Sequence, residues 1–168
     1  MSLHYLLDGY NIIHQLPGNV NSNSLEMLRD KLIHLVMTQH PHGSARNKMT
    51  VVFDGQPGYA SPAVNAEVQV IFSYEESADD KIKKMVEHSA NSRQMVVVTD
   101  DREIQTAVKS MGASVVSVND FLWKGQQNMK SAKQRVGVIQ GSIDKRLSSS
   151  QERKITGEFE KIWGIKDR

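Results

Sequence analysis

The sequence predicts an α/β protein with a mostly parallel β-sheet that helices cover on both faces. Short runs of apolar and β-branched residues alternate along the chain with segments whose apolar residues recur at helical spacing. Alternation of this kind implies parallel strands joined by crossover helices. Three of the strand-like runs end in aspartate, at Asp8, Asp54 and the Asp100/Asp101 pair. Open parallel sheets bind ligands at the carboxyl ends of their strands.

Each predicted element has its own signal. Apolar, β-branched runs predict strands at residues 4–7, 49–53, 68–72, 95–98 and 113–118, and Asp8-Gly9 predicts a turn after the first strand. A helix is predicted to begin at Asn23, where Asn-Ser-Leu-Glu has the spacing of a capping box and leucines then recur at helical intervals. Ser77 is predicted to be the N-cap of a second helix. Asp100 is predicted to be the N-cap of a third helix, which ends at Gly112.

Length and composition limit the classes of protein that are possible. A chain of 168 residues suits one core with an appendage. The absence of cysteine excludes a disulfide scaffold, a thiolate zinc site and a cysteine nucleophile. The amino-terminal apolar run follows no basic segment and is too short for a signal peptide or a membrane span, so we expect a cytoplasmic protein.

The charge divides unevenly along the chain. Residues 1–123 hold 10 Lys and Arg against 14 Asp and Glu, whereas residues 124–168 hold 11 against 5. An acidic core over 1–123 and a basic extension over 124–168 suit a metal-using enzyme that acts on a polyanion, with carboxylates that hold the cation and Lys and Arg that hold phosphates; an ordinary solvated basic helix is the alternative. Residues from about 124 to 148 are predicted to be a loop or partly mobile. Ile155, Phe159, Ile162 and Trp163 predict an amphipathic helix.

The acidic residues predict a cation site. Asp79 and Asp80 open a predicted helix and add to the strand-end aspartates. Crowded carboxylates repel one another unless a cation neutralises them, and oxygen ligands without cysteine favour Mg²⁺ or Mn²⁺. Any single aspartate could instead cap a helix or stabilise a turn, and this fits Asp80 and Asp100 best. Capping alone does not explain why aspartate recurs at strand ends.

Three further features leave alternatives open. The amide of Asn11 could bind a carboxylate, a metal-bound water or a phosphate oxygen, or it could stabilise a turn. The hydroxyl of Thr99 could hold a carboxylate or simply end a strand. His40-Pro-His42 is better explained by a loop than by a metal site, and the chain has no phosphate-binding glycine loop.

Four motifs in order resemble the YacP-like NYN domain family of PIN-like ribonucleases. They are Leu-Leu-Asp8-Gly-Tyr-Asn11-Ile-Ile, Val-Val-Phe-Asp54-Gly, Ser-Ala-Asp79-Asp80-Lys-Ile and Val-Val-Val-Thr99-Asp100-Asp101-Arg-Glu-Ile-Gln105. The likeness covers about residues 3–123. It implies a three-layer α/β/α sandwich with strand order 3-2-1-4-5 and metal-dependent cleavage of RNA.

The resemblance also implies roles for individual residues. Asp8, Asp79 and Asp101 would be the principal metal carboxylates, and Asp54, Asp80 and Asn11 would support them. Where the family has Thr-Ser-Asp-Arg, this chain has Thr99-Asp100-Asp101-Arg102, so Asp100 either caps a helix in place of serine or adds a ligand. The size and basic extension resemble a ribosome-associated bacterial enzyme, but the ending Glu-Lys-Ile-Trp163-Gly lacks that family's arginine pair.

The resulting expectation is an Mg²⁺- or Mn²⁺-dependent endoribonuclease that cleaves single-stranded RNA, with RNA as its partner and ribosome-associated mRNA cleavage implied by the resemblance. A non-catalytic RNA- or ribosome-binding module on the same fold is the alternative. A receiver domain or an aspartate-based phosphatase would also gather aspartates at strand ends. The phosphatase needs Asp-x-Asp, where this chain has Asp8-Gly9-Tyr10.

Overall fold

The computed structural model describes residues 2–16, 24–56 and 68–146, with the side chains of residue 133 and residues 135–146 left aside. The chain divides into two units, 1–129 and 130–168, and the sheet and the candidate site belong to the first. The predicted start of a helix at Asn23 and the predicted helix over 155–163 lie outside the described residues. The predicted domain boundary after Trp123 stays a prediction.

In the described part of the chain, five parallel strands form one sheet. They are β1 (His4–Asp8), β2 (Lys48–Phe53), β3 (Val68–Phe72), β4 (Met95–Val98) and β5 (Ser114–Val116). Their order across the sheet is β3-β2-β1-β4-β5, which confirms the predicted fold and the order 3-2-1-4-5. Since all pairings are parallel, every strand ends at the same edge of the sheet. Asp8 ends the central strand there, paired in register with Val52 of β2.

Helices cover both faces of this sheet. They are α1 (Gly9–Gln15), α2 (Leu25–Gln39), α3 (Ala78–Glu87), α4 (Arg102–Ser110) and α5 (Val118–Arg146). Successive residues of a strand point to opposite faces, so Leu7 packs in the cluster that includes Ile12, Leu32 and Phe121, while Leu6 packs in the other cluster with α3 and α4. Among the described residues, no helix is both long and apolar enough to cross a membrane.

Three predictions of local structure are wrong. The chain does not turn after Asp8-Gly9 but enters α1 at once. The stretch predicted as a loop over 124–148 is helical as far as Arg146, because α5 continues the helix that Phe121 and Leu122 anchor in the core. The last strand stops at Val116 rather than residue 118, because Val118 already opens α5.

Gly9 explains why α1 can begin so close to the sheet. A Cβ atom at this position would lie 2.3 Å from two ring atoms of Phe53 and 2.9 Å from the carbonyl oxygen of Val52. Real Cβ atoms do not approach other atoms so closely, so only glycine fits between α1 and β2 without rearrangement. The helix that starts here takes Asp8 as its N-cap.

Candidate active site

The side chain of Asp8 lies at the centre of the carboxyl edge of the sheet. The chain leaves β1 on one side towards β2 and later returns on the other side as β4, so Asp8 stands where the strand order reverses. Asp8 as a residue is only 7% exposed. One oxygen accepts the backbone N–H of Asn11 at 3.1 Å, and the other accepts the hydroxyl of Thr99 at 3.3 Å. These bonds fix the carboxylate at the end of the central strand.

The environment of Asp8 makes its charge costly. The pKa of Asp8 is raised to about 6, mainly by burial and also by the negative charges of Asp79 and Asp54, against the lowering effect of the hydrogen bonds from Asn11 and Thr99. Among the described residues, no lysine or arginine forms a salt bridge with it. A carboxylate in such a place is stabilised when a cation approaches.

Asp79 reaches this edge from the first turn of α3. Ser77 caps the helix as predicted, accepting the backbone N–H of Asp80 at 3.1 Å. Asp54, just beyond β2, accepts the backbone N–H of Ala78 at 2.6 Å. Asp54 thereby ties the start of α3 to the end of β2 and positions Asp79, while Asp80 is exposed.

The pKa of Asp79 is also raised. Partial burial is the main cause, followed by the charge of Asp101; Asp54 and Asp80 add to the effect and the nearby ammonium of Lys83 opposes it. The pKa of Asp79 is therefore raised by carboxylates from three segments of the chain. Together with the influence of Asp79 on Asp8, this couples the charges of all the principal carboxylates.

Asp101, rather than Asp100, caps α4, so the predicted N-cap is wrong by one residue. Oδ1 of Asp101 accepts the backbone N–H groups of Glu103 at 2.7 Å and Ile104 at 3.1 Å. The backbone N–H of Asp101 donates to the hydroxyl of Thr99 at 3.2 Å, and the same hydroxyl donates to Asp8. Both bonds to the helix use Oδ1, so Oδ2 is the oxygen that could bind a cation.

Asp100 is engaged on both of its oxygens by the protein itself. Oδ2 accepts the side-chain amide of Gln15 at 2.7 Å, and Oδ1 accepts the backbone N–H of Val118 at 3.0 Å. The first bond ties the β4–α4 turn to α1, and the second ties it to the start of α5. These contacts favour a structural role for Asp100 over that of a metal ligand.

The side chain of Asn11 joins α1 to the β4–α4 turn. Its Oδ1 accepts the backbone N–H of Asp100 at 3.3 Å and the amide of Gln15 at 3.4 Å. The oxygen thus stabilises a turn, whereas Nδ2 remains available to a ligand. Gln15 could not be predicted as a partner of Asn11, because the two residues meet through their spacing of four in a helix that the sequence did not predict.

A buried arginine was also missed. Arg29 of α2 is only 8% exposed, and its guanidinium lies 5.5 Å from the ring centres of Tyr10 and Phe53 and 5.0 Å from that of Phe72. It also donates to the hydroxyl of Tyr10. These rings stand beside Gly9 and at the ends of β2 and β3, so a positive charge is enclosed next to the acidic edge. The sequence did not predict this burial, because an arginine between leucines of an amphipathic helix is usually exposed to solvent.

The acidic residues do not form a closed metal site in their present positions. Within the part of the chain that the structure describes, no three His, Cys, Asp or Glu side chains are arranged to hold a metal ion. Their chemistry nevertheless suits a hard cation, since the donors are carboxylates and an amide. The raised pKa values of Asp8 and Asp79 show that these groups gain from added positive charge.

Comparison with known proteins identifies the family. The YacP-like NYN domain matches residues 5–163. The chain is 32% identical over 159 residues to the uncharacterized protein YacP of Bacillus subtilis (strain 168), covering 91% of this chain and 83% of that protein. This chain therefore belongs to the YacP-like NYN domain family, which is of nuclease type and has an RNA-related function. Membership excludes the receiver-domain and phosphatase alternatives.

Two solved structures share the fold. The crystal structure of Rae1 (YacP) from Bacillus subtilis is 28% identical with a TM-score of 0.69, and the match covers 98% of this chain and 96% of that one. A tryptophan-to-leucine variant of the same protein is 31% identical with a TM-score of 0.69, covering 85% and 86%. The likeness extends over nearly the whole chain.

Proposed function

We propose that this protein is an Mg²⁺- or Mn²⁺-dependent endoribonuclease that hydrolyses phosphodiester bonds of single-stranded RNA in the cytoplasm. The observation that carries the proposal is the buried carboxylate of Asp8 at the strand-order reversal, with its pKa raised by burial and by Asp79 and Asp54. A buried, repelled carboxylate lowers the stability of the folded protein at neutral pH. If Asp8 served only the fold, a neutral residue in its place would make the protein more stable. A cation bound during catalysis accounts for its presence.

Three carboxylates would hold the cation. Asp8, Asp79 and Asp101 lie on the segments whose charges are coupled, and each is fixed by the protein: Asp8 by Thr99, Asp79 through the bond of Asp54 to α3, and Asp101 as the cap of α4. When bound, the cation would lower the pKa of a water molecule and neutralise charge on the scissile phosphate. The carboxylates would move slightly towards the bound cation, because its positive charge would cancel the repulsion between them.

Other residues would act on the substrate or on the carboxylates. Nδ2 of Asn11 would donate to a phosphate oxygen beside Asp8, while its Oδ1 keeps the β4–α4 turn in place. Asp54 and Asp80 would add negative charge that attracts the cation without binding it directly. The 11 Lys and Arg of residues 124–168 would hold the RNA backbone.

A cleavage assay tests this proposal. A labelled single-stranded RNA is incubated with Mg²⁺ or Mn²⁺ and wild type, with EDTA added, or with Asp8→Asn or Asp79→Asn. Asp30→Asn is the matched control, because Asp30 is an exposed carboxylate of α2 with the same substitution. We expect metal-dependent cleavage that EDTA and either site variant abolish and that Asp30→Asn retains. Circular dichroism checks that each variant folds.

The chemistry of the products tests the mechanism. Attack by water needs no 2′-hydroxyl, so an RNA with a 2′-O-methyl group at the cleavage position should still be cut, and the products should carry no cyclic phosphate. Manganese binding followed by calorimetry gives a readout separate from cleavage, and Asp8→Asn should weaken it.

The same assay addresses the remaining alternative. The reaction is repeated with translating ribosomes, because ribosome-associated mRNA cleavage is part of the proposal. Wild-type protein that binds RNA but never cuts it, with or without ribosomes, would contradict an endoribonuclease and leave an RNA- or ribosome-binding module.

A further inference from the structure

A groove beside the acidic edge contains the most exposed aromatic side chain of α5. Trp123 is 62% exposed. Its neighbours Phe121 and Leu122 are only 1% and 9% exposed, and they anchor the helix in the core. The groove has a volume of about 640 Å³ and is lined by Gln15, Asn119, Asp120, Leu122, Trp123 and Gln126. An exposed indole is thus held on a rigid helix in a concave surface.

Gln15 and the start of α5 connect the groove to the acidic edge. Gln15 lines the groove, and its amide donates to Asp100 at 2.7 Å and to Asn11 at 3.4 Å. Val118, the first residue of α5, donates its backbone N–H to Asp100 at 3.0 Å, so the start of this helix is fixed at the site. Trp123 follows five residues later, about 7.5 Å along the helix axis. This reach suits a nucleotide next to the one being cleaved.

We propose that this groove is a nucleobase subsite, in which a base of single-stranded RNA stacks on Trp123 while neighbouring amides contact its edge. The inference rests on the proposed function, because it supplies the substrate contact that an endoribonuclease needs beside its scissile bond. Stacking on an aromatic side chain is the usual means of holding an unpaired base. The subsite would fix the position of the RNA relative to Asp8.

The lining residues identify the ligand class. Asn119 and Gln126 carry amides, which present both a donor and an acceptor and so match the hydrogen-bonding edges of bases. The amide nitrogen of Gln15 already donates to Asp100 and Asn11, so Gln15 offers its oxygen as an acceptor. Asp120 adds an acceptor suited to an exocyclic amino group, and no lysine or arginine among the described residues lines the groove to bind phosphate. Lys124, exposed next to Trp123, is placed to meet the adjoining backbone. A purely apolar partner would not hydrogen-bond with the amides of Asn119 and Gln126.

The test follows Trp123 directly. The chain has two tryptophans, so Trp163→Phe leaves Trp123 as the only indole reporter. The probe is a short 2′-O-methyl single-stranded RNA in EDTA, so that binding is measured without turnover. We expect acrylamide to quench the free protein strongly and the RNA to quench Trp123 and protect it from acrylamide. Trp123→Ala should weaken binding, measured by fluorescence anisotropy, by about 5- to 100-fold.

A coupling experiment identifies the partner of Trp123. Abasic nucleotides are placed at successive positions of the probe, and one position should weaken wild-type binding about as much as Trp123→Ala does. In the Trp123→Ala protein the same abasic change should have no further effect. Tyr74→Ala is the matched control, since Tyr74 is 61% exposed but does not line the groove. The abasic change should weaken RNA binding by the Tyr74→Ala variant as much as it weakens binding by wild type.

Several outcomes would overturn the subsite. An indole shielded from acrylamide without RNA would show that another part of the protein covers Trp123. Binding that Trp123→Ala does not weaken, or abasic changes that are additive with it at every position, would exclude stacking. If wild type cuts RNA in the cleavage assay but shows one of these results, the subsite alone is wrong. If wild type neither binds nor cuts RNA, the proposed function fails as well.

Discussion

Replacing Asp8 with asparagine should stabilise the metal-free protein while abolishing its activity. Asparagine has nearly the same shape, its oxygen can accept the N–H of Asn11, and its amide can face the hydroxyl of Thr99. The change removes a buried negative charge that Asp79 and Asp54 oppose. A residue that weakens the fold but is retained for function is typical of an active site.

The size of the effect follows from the pKa of Asp8, which is raised to about 6 in the folded protein. An unfolded aspartate has a pKa of about 3.9. Because the folded value is the higher one, the stability that protonated Asp8 contributes is fully present below pH ~3.9 and is lost as pH rises through about 6. Linkage then gives a loss of about 0.5 kcal/mol at pH 4, about 1.5 kcal/mol at pH 5 and about 3 kcal/mol above pH 7.

Urea unfolding in EDTA at several pH values measures this loss. The free energy of unfolding of Asp8→Asn should exceed that of wild type by an amount that grows from pH 4 to pH 7 and then levels off. Asp30→Asn, an exposed change of the same type, should show no such trend. A variant less stable than wild type at pH 7.5, or a difference that does not vary with pH, would refute the reasoning. Added Mn²⁺ should narrow the gap, because it stabilises wild type preferentially.

Three further substitutions probe the supports of the site. Gly9→Ala should lower the free energy of unfolding in urea by about 1–3 kcal/mol or more, since the new methyl group would lie 2.3 Å from the ring of Phe53; unchanged stability would contradict this close approach. Thr99→Val should raise the pKa of Asp8, followed by carboxyl NMR, because the hydroxyl that donates to Asp8 lowers it; a fall in that pKa would count against the assignment. Arg29→Met should destabilise the protein to urea by about 1–3 kcal/mol through loss of its contacts with aromatic rings, and a stability equal to wild type would show that the guanidinium contributes nothing.

The fold could be predicted because its signals are local. Each strand is a short run rich in apolar and β-branched residues, and the observed β3 and β4 have the predicted bounds. The elements that were predicted wrongly depend on contacts distant in sequence. The helix α1 begins with Gly9, Tyr10 and Asn11, which have poor helical propensity, and exists because Asp8 caps it and Gly9 fits against Phe53. Similarly, α5 extends into polar sequence because its first turns are anchored in the core.

The sequence by itself determined which residues could carry the chemistry and at which edge they would gather. Aspartates at the ends of parallel strands share one edge whatever the details of packing, since every strand points the same way. The identity of the family followed from four motifs in order. These conclusions need only residue type, order and strand direction.

Only the tertiary structure decided what each carboxylate does. Asp100 and Asp101 are neighbours with identical side chains, yet one is held on both oxygens by Gln15 and Val118 while the other caps α4. The partners of Asp100 lie 85 and 18 residues away along the chain. The burial that raises the pKa of Asp8 likewise depends on elements brought together from separate parts of the sequence. The hydrogen-bond partners and the desolvation of a carboxylate depend on the residues that surround it, and folding brings those residues together from distant parts of the chain.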